Sequence, residues 1–247
     1  MSRLNNLKRW VKAGENRPAR LLRKIHGTLR NFEIPSFPRL FRVLYGIHKM
    51  LAGVLDWIAR VFYWTPMFQA RLSRPAPRLY LYGGLPLVTG SLLVQVGRDC
   101  RISAATTFSG RWCSEPTPQL IIGDNVGIGW QTTISVGSRV VIGNNVRIAG
   151  RSFLSGHPGH PIDAEDRAAG LPDTADQVGD IVLENDVWLG TGVMVSAGVH
   201  IGAGTIVASG SVVTRDLPAA VLAGGVPARV IRPLTTVADR QALEVVV

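Results

Sequence analysis

The fold is decided by residues 183–213, LENDVWLGTGVMVSAGVHIGAGTIVASGSVV. An aliphatic residue returns at every sixth position: Leu183, Leu189, Val195, Ile201, Val207 and Val213. The residue that follows each is small or short (Gly190, Ser196, Gly202, Ala208, Thr214), with Glu184 the exception. The fifth residue of each unit is small or β-branched: Val187, Val193, Val199, Thr205 and Ser211. The same spacing is found upstream in Val96, Ile102, Phe108, then Ile122, Ile128, Ile134, then Ile142, Ile148, Leu154. No residue in these registers is charged.

A period of six suits neither a 3.6-residue helical stripe nor the strict alternation of a sandwich strand. It suits a prism in which each unit is a short strand plus a turn and three units make one triangular coil. The aliphatic residue points inward and stacks on its counterpart one coil away, while small residues permit the corners. One coil cannot bury its own core, so coils must stack. The spacing predicts about five coils, near 96–113, 122–141, 142–154, 183–200 and 201–218. An ordinary β-sandwich with accidental spacing is the alternative, which six consecutive matches oppose. Two stretches break the count: residues 111–119, expected as a surface loop, and the longer Pro- and Asp-rich 155–182. The second holds His157 and His160, two of the five histidines. Long excursions from a repeat tend to carry function.

Of 247 residues, 46% are hydrophobic, which excludes a disordered, highly charged chain. Two cysteines, Cys100 and Cys113, cannot build a disulfide framework, so a reducing, cytoplasmic setting is expected. Met1 to Arg30 has basic residues throughout and no apolar core, so no secretory signal is expected. The net charge of +10 is unevenly placed: residues 1–78 hold 16 Lys or Arg against only Glu15, Glu33 and Asp56. The rest of the chain is mildly acidic. The charge therefore belongs to an appendage, and no nucleic-acid partner is expected.

That appendage reads as helical. Leu40, Leu44, Ile47, Leu51, Val54, Ile58 and Phe62 make one apolar stripe over residues 38–64. Ser36 and Pro38 mark a start, and Pro66 is expected to end the helix. Arg39, Arg42, Lys49, Asp56 and Arg60 interrupt every candidate membrane span. A second basic segment, Arg17 to Arg30, precedes it. Two readings stay open: packing on protein, or residues 17–64 lying on an anionic membrane surface, with Trp57, Phe62, Tyr63 and Trp64 in the interface. The expected domains are a basic helical arm (1–78), a β-helix domain (79–234) with an active-site loop (155–182), and a tail (235–247).

Three stretches carry a family resemblance: Ser155-Gly156-His157-Pro158 with Arg167 beyond it; Asn185 to Thr191; and Ala208 to Pro218 continuing into Ala223 to Arg232. In these the chain resembles the hexapeptide-repeat acyltransferases, and within them the galactoside, maltose and xenobiotic acetyltransferase group. The resemblance covers about residues 92–234. It implies a left-handed parallel β-helix, a mainly β fold, a homotrimer with sites between subunits, and acetyl-CoA as acyl donor. His157, in its Gly-His-Pro context, would be the general base of a direct transfer with no enzyme nucleophile. Taken alone it would pass for a loop histidine of no consequence, as His160 does.

The resemblance also implies a carrier groove. Thr191, Ser209, Thr214 and Arg215 match positions along the pantetheine and nucleotide, and Arg229 and Arg232 match arginines near the adenosine and phosphates. Guanidinium forks suit phosphate. Trp188 would wall the site. Gly129 stands where the sugar acetyltransferases carry an acceptor-binding Asn, and Gly137 where they carry an acid, so a simple galactoside or maltose is not the expected acceptor. Trp130 and Gln131 are candidates for a different acceptor pocket. The implied function is O-acetylation of a glycan or lipid-linked saccharide. The alternatives are acetylation of a hydroxylated antibiotic and a non-catalytic β-helix scaffold. Some trimeric β-helices are zinc carbonic anhydrases, but the spacing of His157, His160 and His200 does not match, and no metal is expected.

Overall fold

A computed structural model describes residues 2–234. The expected tail, 235–247, lies outside the described residues. The chain divides into two compact units, residues 1–51 and 52–247.

The first unit is helical. α1 (Ser2–Ala13) and α2 (Arg17–Arg30) form a hairpin in which Asn16 caps α2, its side chain accepting from the Ala19 amide at 3.0 Å. Arg23 closes the turn by donating to the Lys12 and Gly14 carbonyls. α3 (Pro38–Ala59) starts where the sequence places it and has no buried residue.

The expected stop at Pro66 is corrected. The helix passes through one π-helical turn at Arg60–Trp64 and continues as α4 (Thr65–Gln69), with Pro66 in its first turn. Proline lacks an amide hydrogen, which a first-turn position does not need. The following segment closes the lower end of the core. Phe68, Ala76 and Leu79 are buried, and Phe68 packs on Phe108 at 6.3 Å between ring centroids. The boundary expected at 78/79 thus falls at the end of a stretch that caps the β-helix.

The body is a triangular prism of three parallel sheets. Its coils are β1 (Tyr80–Tyr82), β2 (Leu87–Thr89), β3 (Leu93–Val96); β4 (Arg101–Ser103), β5 (Thr107–Gly110), β6 (Gln119–Ile122); β7 (Gly127–Ile128), β8 (Thr133–Val136), β9 (Arg139–Ile142); β10 (Arg147–Ile148), β11 (Phe153–Ser155), β12 (Ile181–Leu183); and β13 (Trp188–Leu189), β14 (Met194–Ser196), β15 (His200–Ile201). A sixth, partial coil has β16 (Ile206–Val207), β17 (Val212–Val213) and a bridge from Leu217 to Ile201. β18 (Val221–Gly225) follows on the first sheet, and β19 (Ala228–Pro233) turns back antiparallel to close the upper end. The sheet orders are β1-β4-β7-β10-β13-β16-β18-β19, β2-β5-β8-β11-β14-β17 and β3-β6-β9-β12-β15.

Every inward aliphatic residue read from the period of six, from Val96 to Val213, is buried. Each such side chain contributes roughly 1.5–3 kcal/mol on removal from water. The coil count of about five agrees with five complete coils, but their phase does not. The helix begins at Tyr80, one coil before the first one expected near residue 96, with Leu81 stacked on Ile102 and Val88 on Phe108. The step from Leu81 to Val88 is seven because Gly83 and Gly84 turn with φ of +76° and +129°, and that extra residue hides the first coil from a six-residue count.

Candidate active site

The prism has three edges. Chain leaving the first sheet turns at a first corner into the second sheet, and chain leaving the second turns at a second corner into the third. The excursion 155–182 leaves the second corner after β11. It is tied down at several points. Asp163 caps the short helix α5 (Ala164–Ala168) through the Glu165 and Asp166 amides. Arg167 braces the Pro161 and Ile162 carbonyls, and Asp180 accepts from Ser138 Oγ.

This loop folds back so that His157 Nδ1 lies 2.7 Å from Asp173 Oδ2. Asp173 also accepts from Arg111 Nε at 2.6 Å and from the Gly159 amide at 3.1 Å. Side-chain exposure is 12% for His157, 3% for Asp173 and 10% for Arg111, so the network is almost dry. Burial pushes the Asp173 carboxyl up. The bonds from Arg111, His157 and the Gly159 amide together outweigh it and hold the group below the ordinary carboxylate range. An ionised Asp173 only accepts, so His157 Nδ1–H donates to it, and in the neutral imidazole the lone pair is then on Nε2. Nε2 lies 2.9 Å from Ser135 Oγ on the outer face of the second sheet. The arrangement sets an imidazole between a carboxylate and a hydroxyl.

Arg111, Asp173 and Ser135 were not found in the sequence. Arg111 starts the 111–119 interruption but is buried under it, contrary to the expectation of a plain surface loop. Asp173 is one of six acids in 155–182, and nothing in the sequence ranks it above Asp163, Glu165, Asp166, Asp176 or Asp180. Ser135 is one of many small residues in the repeat.

The expected carrier residues divide between two edges. Thr214 and Arg215 follow β17 on the second corner, two strands beyond β11 and three beyond β8, whose Ser135 meets the imidazole. Thr191 and Ser209 turn on the first corner, in adjacent coils tied by a 2.8 Å bond from the Gly210 amide to the Thr191 carbonyl. Arg229 and Arg232 lie on β19 at the end of the first sheet, exposed. Neither they nor Arg215 pair with a carboxylate among the described residues. Trp130 and Gln131 also sit on the first corner. Gln131 takes φ +56° there, its Oε1 accepts from Arg151 Nε at 3.2 Å, and that guanidinium covers the Trp130 ring at 4.7 Å. Trp188 lies on the first sheet, lining an open groove of about 850 Å³ with Tyr80, Tyr82, Arg101 and Arg147. The chain therefore places His157 on the same corner as Thr214 and Arg215 and apart from the other expected site residues. Thr191, Ser209, Trp130 and Gln131 stand across the second sheet from it. His160 is exposed, and His200 pairs with Glu184 Oε1 at 2.9 Å on the third sheet.

A family model described as bacterial transferase hexapeptide (six repeats) matches residues 180–215. The match spans the run of sixfold repeats from β12 to β17. Two curated proteins resemble this chain: protein YJL218W of Saccharomyces cerevisiae, an acetyltransferase by name, with 41% identity over 116 residues (47% of this chain, 57% of that protein), and galactoside O-acetyltransferase of Escherichia coli, with 38% identity over 136 residues (53% of this chain, 64% of that protein). The chain thus spans less than two thirds of either relative. Among solved structures, AntD, an N-acyltransferase from Bacillus cereus in complex with dTDP and 3-hydroxybutyryl-CoA, shares the fold with a TM-score of 0.56 at 14% identity, covering 73% of this chain and 93% of that one. The prism shares that structure's fold, a left-handed parallel β-helix.

Proposed function

We propose that the protein is an O-acetyltransferase that moves an acetyl group from acetyl-CoA to a hydroxyl of a glycan or lipid-linked saccharide. The observation that carries this reading is the Arg111–Asp173–His157 network, which orients the imidazole with Nε2 turned outward over the second sheet, toward a hydroxyl. Loss of the acceptor hydroxyl's proton to the imidazole makes the oxygen a nucleophile toward the thioester carbonyl. The free guanidinium groups of Arg215, Arg229 and Arg232 suit the phosphates of the carrier. The names of the two curated relatives support the same class of reaction.

We read the working unit as a homotrimer. The carrier and acceptor residues on the first corner stand apart from His157 on the second, and a neighbouring copy would bring its first corner to this second one. The outer faces suit such packing: Leu87 and Met194 are exposed on the second sheet, and Ile121, Val141 and Val182 are half-buried on the third.

No helix among the described residues is long and apolar enough to cross a membrane. We infer that residues 17–64 instead rest on an anionic membrane surface. The apolar side chains of α3 are exposed along its length, and the arm is strongly basic. This placement suits a lipid-linked acceptor.

The test is release of free coenzyme A from acetyl-CoA with a panel of acceptors: polysaccharide precursors, lipid-linked saccharides and hydroxylated antibiotics. Release dependent on a saccharide supports the reading. Release only with an antibiotic replaces the acceptor class, and no release with any acceptor leaves the β-helix as a scaffold.

A further inference from the structure

The outer face of the first sheet carries one residue from each of five successive coils in register: Tyr80 pairs with Arg101, Arg101 with Gly127, Gly127 with Arg147, and Arg147 with Trp188. The residue after each of these is buried in the core, so the column itself faces outward. It spans about 19 Å at the usual strand spacing and lines the groove of about 850 Å³, the size of a small-ligand site.

The column has an aromatic ring at each end and a gap between two arginines at its centre. Gly127 makes the gap, since a Cβ there would stand 3.2 Å from Arg147 Cδ. Arg147 donates from its terminal nitrogens to the Asn125 carbonyl and side-chain oxygen and to the Val146 carbonyl, all neutral groups. Its Nε, 3.8 Å from that same point over Gly127, has no partner among the described residues. Arg101 pairs with no carboxylate among them. The one acid lining the groove, Asp99, is held by Arg78 at 2.6 Å. A further cation, Arg60, covers the Tyr80 ring at 4.5 Å. Aromatic rings offer flat apolar faces to sugar rings, and guanidinium forks match carboxylate and phosphate. The hydroxyls of a neutral glycan need no cation, so two guanidinium groups without acidic partners beside one gap point to an acid.

We propose that this groove binds the saccharide acceptor and selects one that carries negative charge, its carboxylate or phosphate lying over Gly127 between Arg101 and Arg147. The proposal rests on the saccharide-acetylating reading and adds the charge that reading leaves open.

The experiment titrates the full-length protein by calorimetry with oligosaccharides offered in pairs: uronate tetrasaccharides beside their carboxyl-reduced chains, and phosphorylated tetrasaccharides beside their dephosphorylated chains. The two kinds of pair tell carboxylate from phosphate. At least one acid should bind about 10-fold or more tighter than its uncharged counterpart, and added salt should narrow the difference. Arg101→Gln with Arg147→Gln should erase the preference. Gly127→Leu, which keeps both arginines and fills the gap, should erase it too. These side chains face solvent, so thermal melts of the variants should stay near wild type. No preference in any pair, or a preference that survives the double variant, overturns the proposal. Displacement of the bound acid by coenzyme A also overturns it, because the groove then belongs to the carrier. His157→Ala should keep the preference while losing turnover, so groove and base are judged apart. Acid-selective binding without coenzyme A release on any saccharide upholds the groove and sinks the transfer reading, whereas saccharide-dependent release with no charge preference sinks only this proposal.

Discussion

Asp173 lies 16 residues beyond His157 in the chain, yet its Oδ2 is 2.7 Å from the imidazole Nδ1. The loop between them crosses no strand of the prism, so its course is set by its own anchors: the Asp163 cap, the Arg167 brace and Arg111 beneath. This one contact fixes the orientation of a loop histidine.

Replacing His157 with Ala should lower turnover about 10²- to 10⁴-fold, the scale on which a general base acts. The side chain is not part of the aliphatic core, so melting temperature and oligomeric state should stay near wild type. Steady-state kinetics beside a thermal melt checks both.

Asp173→Asn keeps the shape but offers Nδ1 either an acceptor oxygen or a donor amide. Mis-set tautomers should reduce kcat by about 10²- to 10⁴-fold while the KM for acetyl-CoA changes little. A KM effect of the same size as the kcat effect would mean that the loop, not the base, had been lost.

Arg111→Met leaves a buried carboxylate without its main partner and should destabilise the loop by about 3–5 kcal/mol. The pH dependence follows from the direction of the Asp173 shift. A carboxyl held below its unfolded value stabilises the native loop fully above the ordinary carboxylate range, near pH ~4. That stabilisation is lost as pH falls through the lower folded value. Proteolytic resistance of 155–182 should therefore persist through mildly acidic pH and disappear only in stronger acid, and Asp173→Asn should lack that acid-side loss.

Arg229→Ala with Arg232→Ala should raise the KM for acetyl-CoA more than it lowers kcat, because phosphate contacts hold the carrier away from the reacting carbonyl. Calorimetric titration with coenzyme A checks it. Unchanged affinity in the double variant would move the carrier elsewhere.

The arm divides at a definite place. Removal of residues 1–51 should leave a folded β-helix that no longer sediments with anionic liposomes, while the full chain sediments and is released by salt. Removal as far as residue 78 strips Phe68 from Phe108 and should cost at least the 3–5 kcal/mol of a buried phenylalanine. Circular dichroism melts of the two truncations separate binding from capping.

The period of six was legible because it needs no partner. An inward aliphatic residue must meet its counterpart one coil away, so Leu183 to Val213 announce the prism by spacing alone, and Gly-His-Pro marks His157 by its neighbours. The first coil escaped because one added residue at Gly83-Gly84 is enough to lose a count, and the run-on of the helix past Pro66 escaped because a proline at a first turn looks the same as one at a stop.

What the sequence determined by itself was the repeat, the basic arm and the Gly-His-Pro setting of His157. Only the tertiary structure decided which acid orients that histidine, which arginine steadies the acid and which serine faces the free nitrogen. Asp173, Arg111 and Ser135 come from three separate coils, and their contact depends on how a 2.7 Å bond closes a long loop over a stacked edge. A repeat fixes distances along its axis, but a loop that leaves the repeat has no such ruler, so its partners are chosen by burial and hydrogen bonding once the coils have stacked.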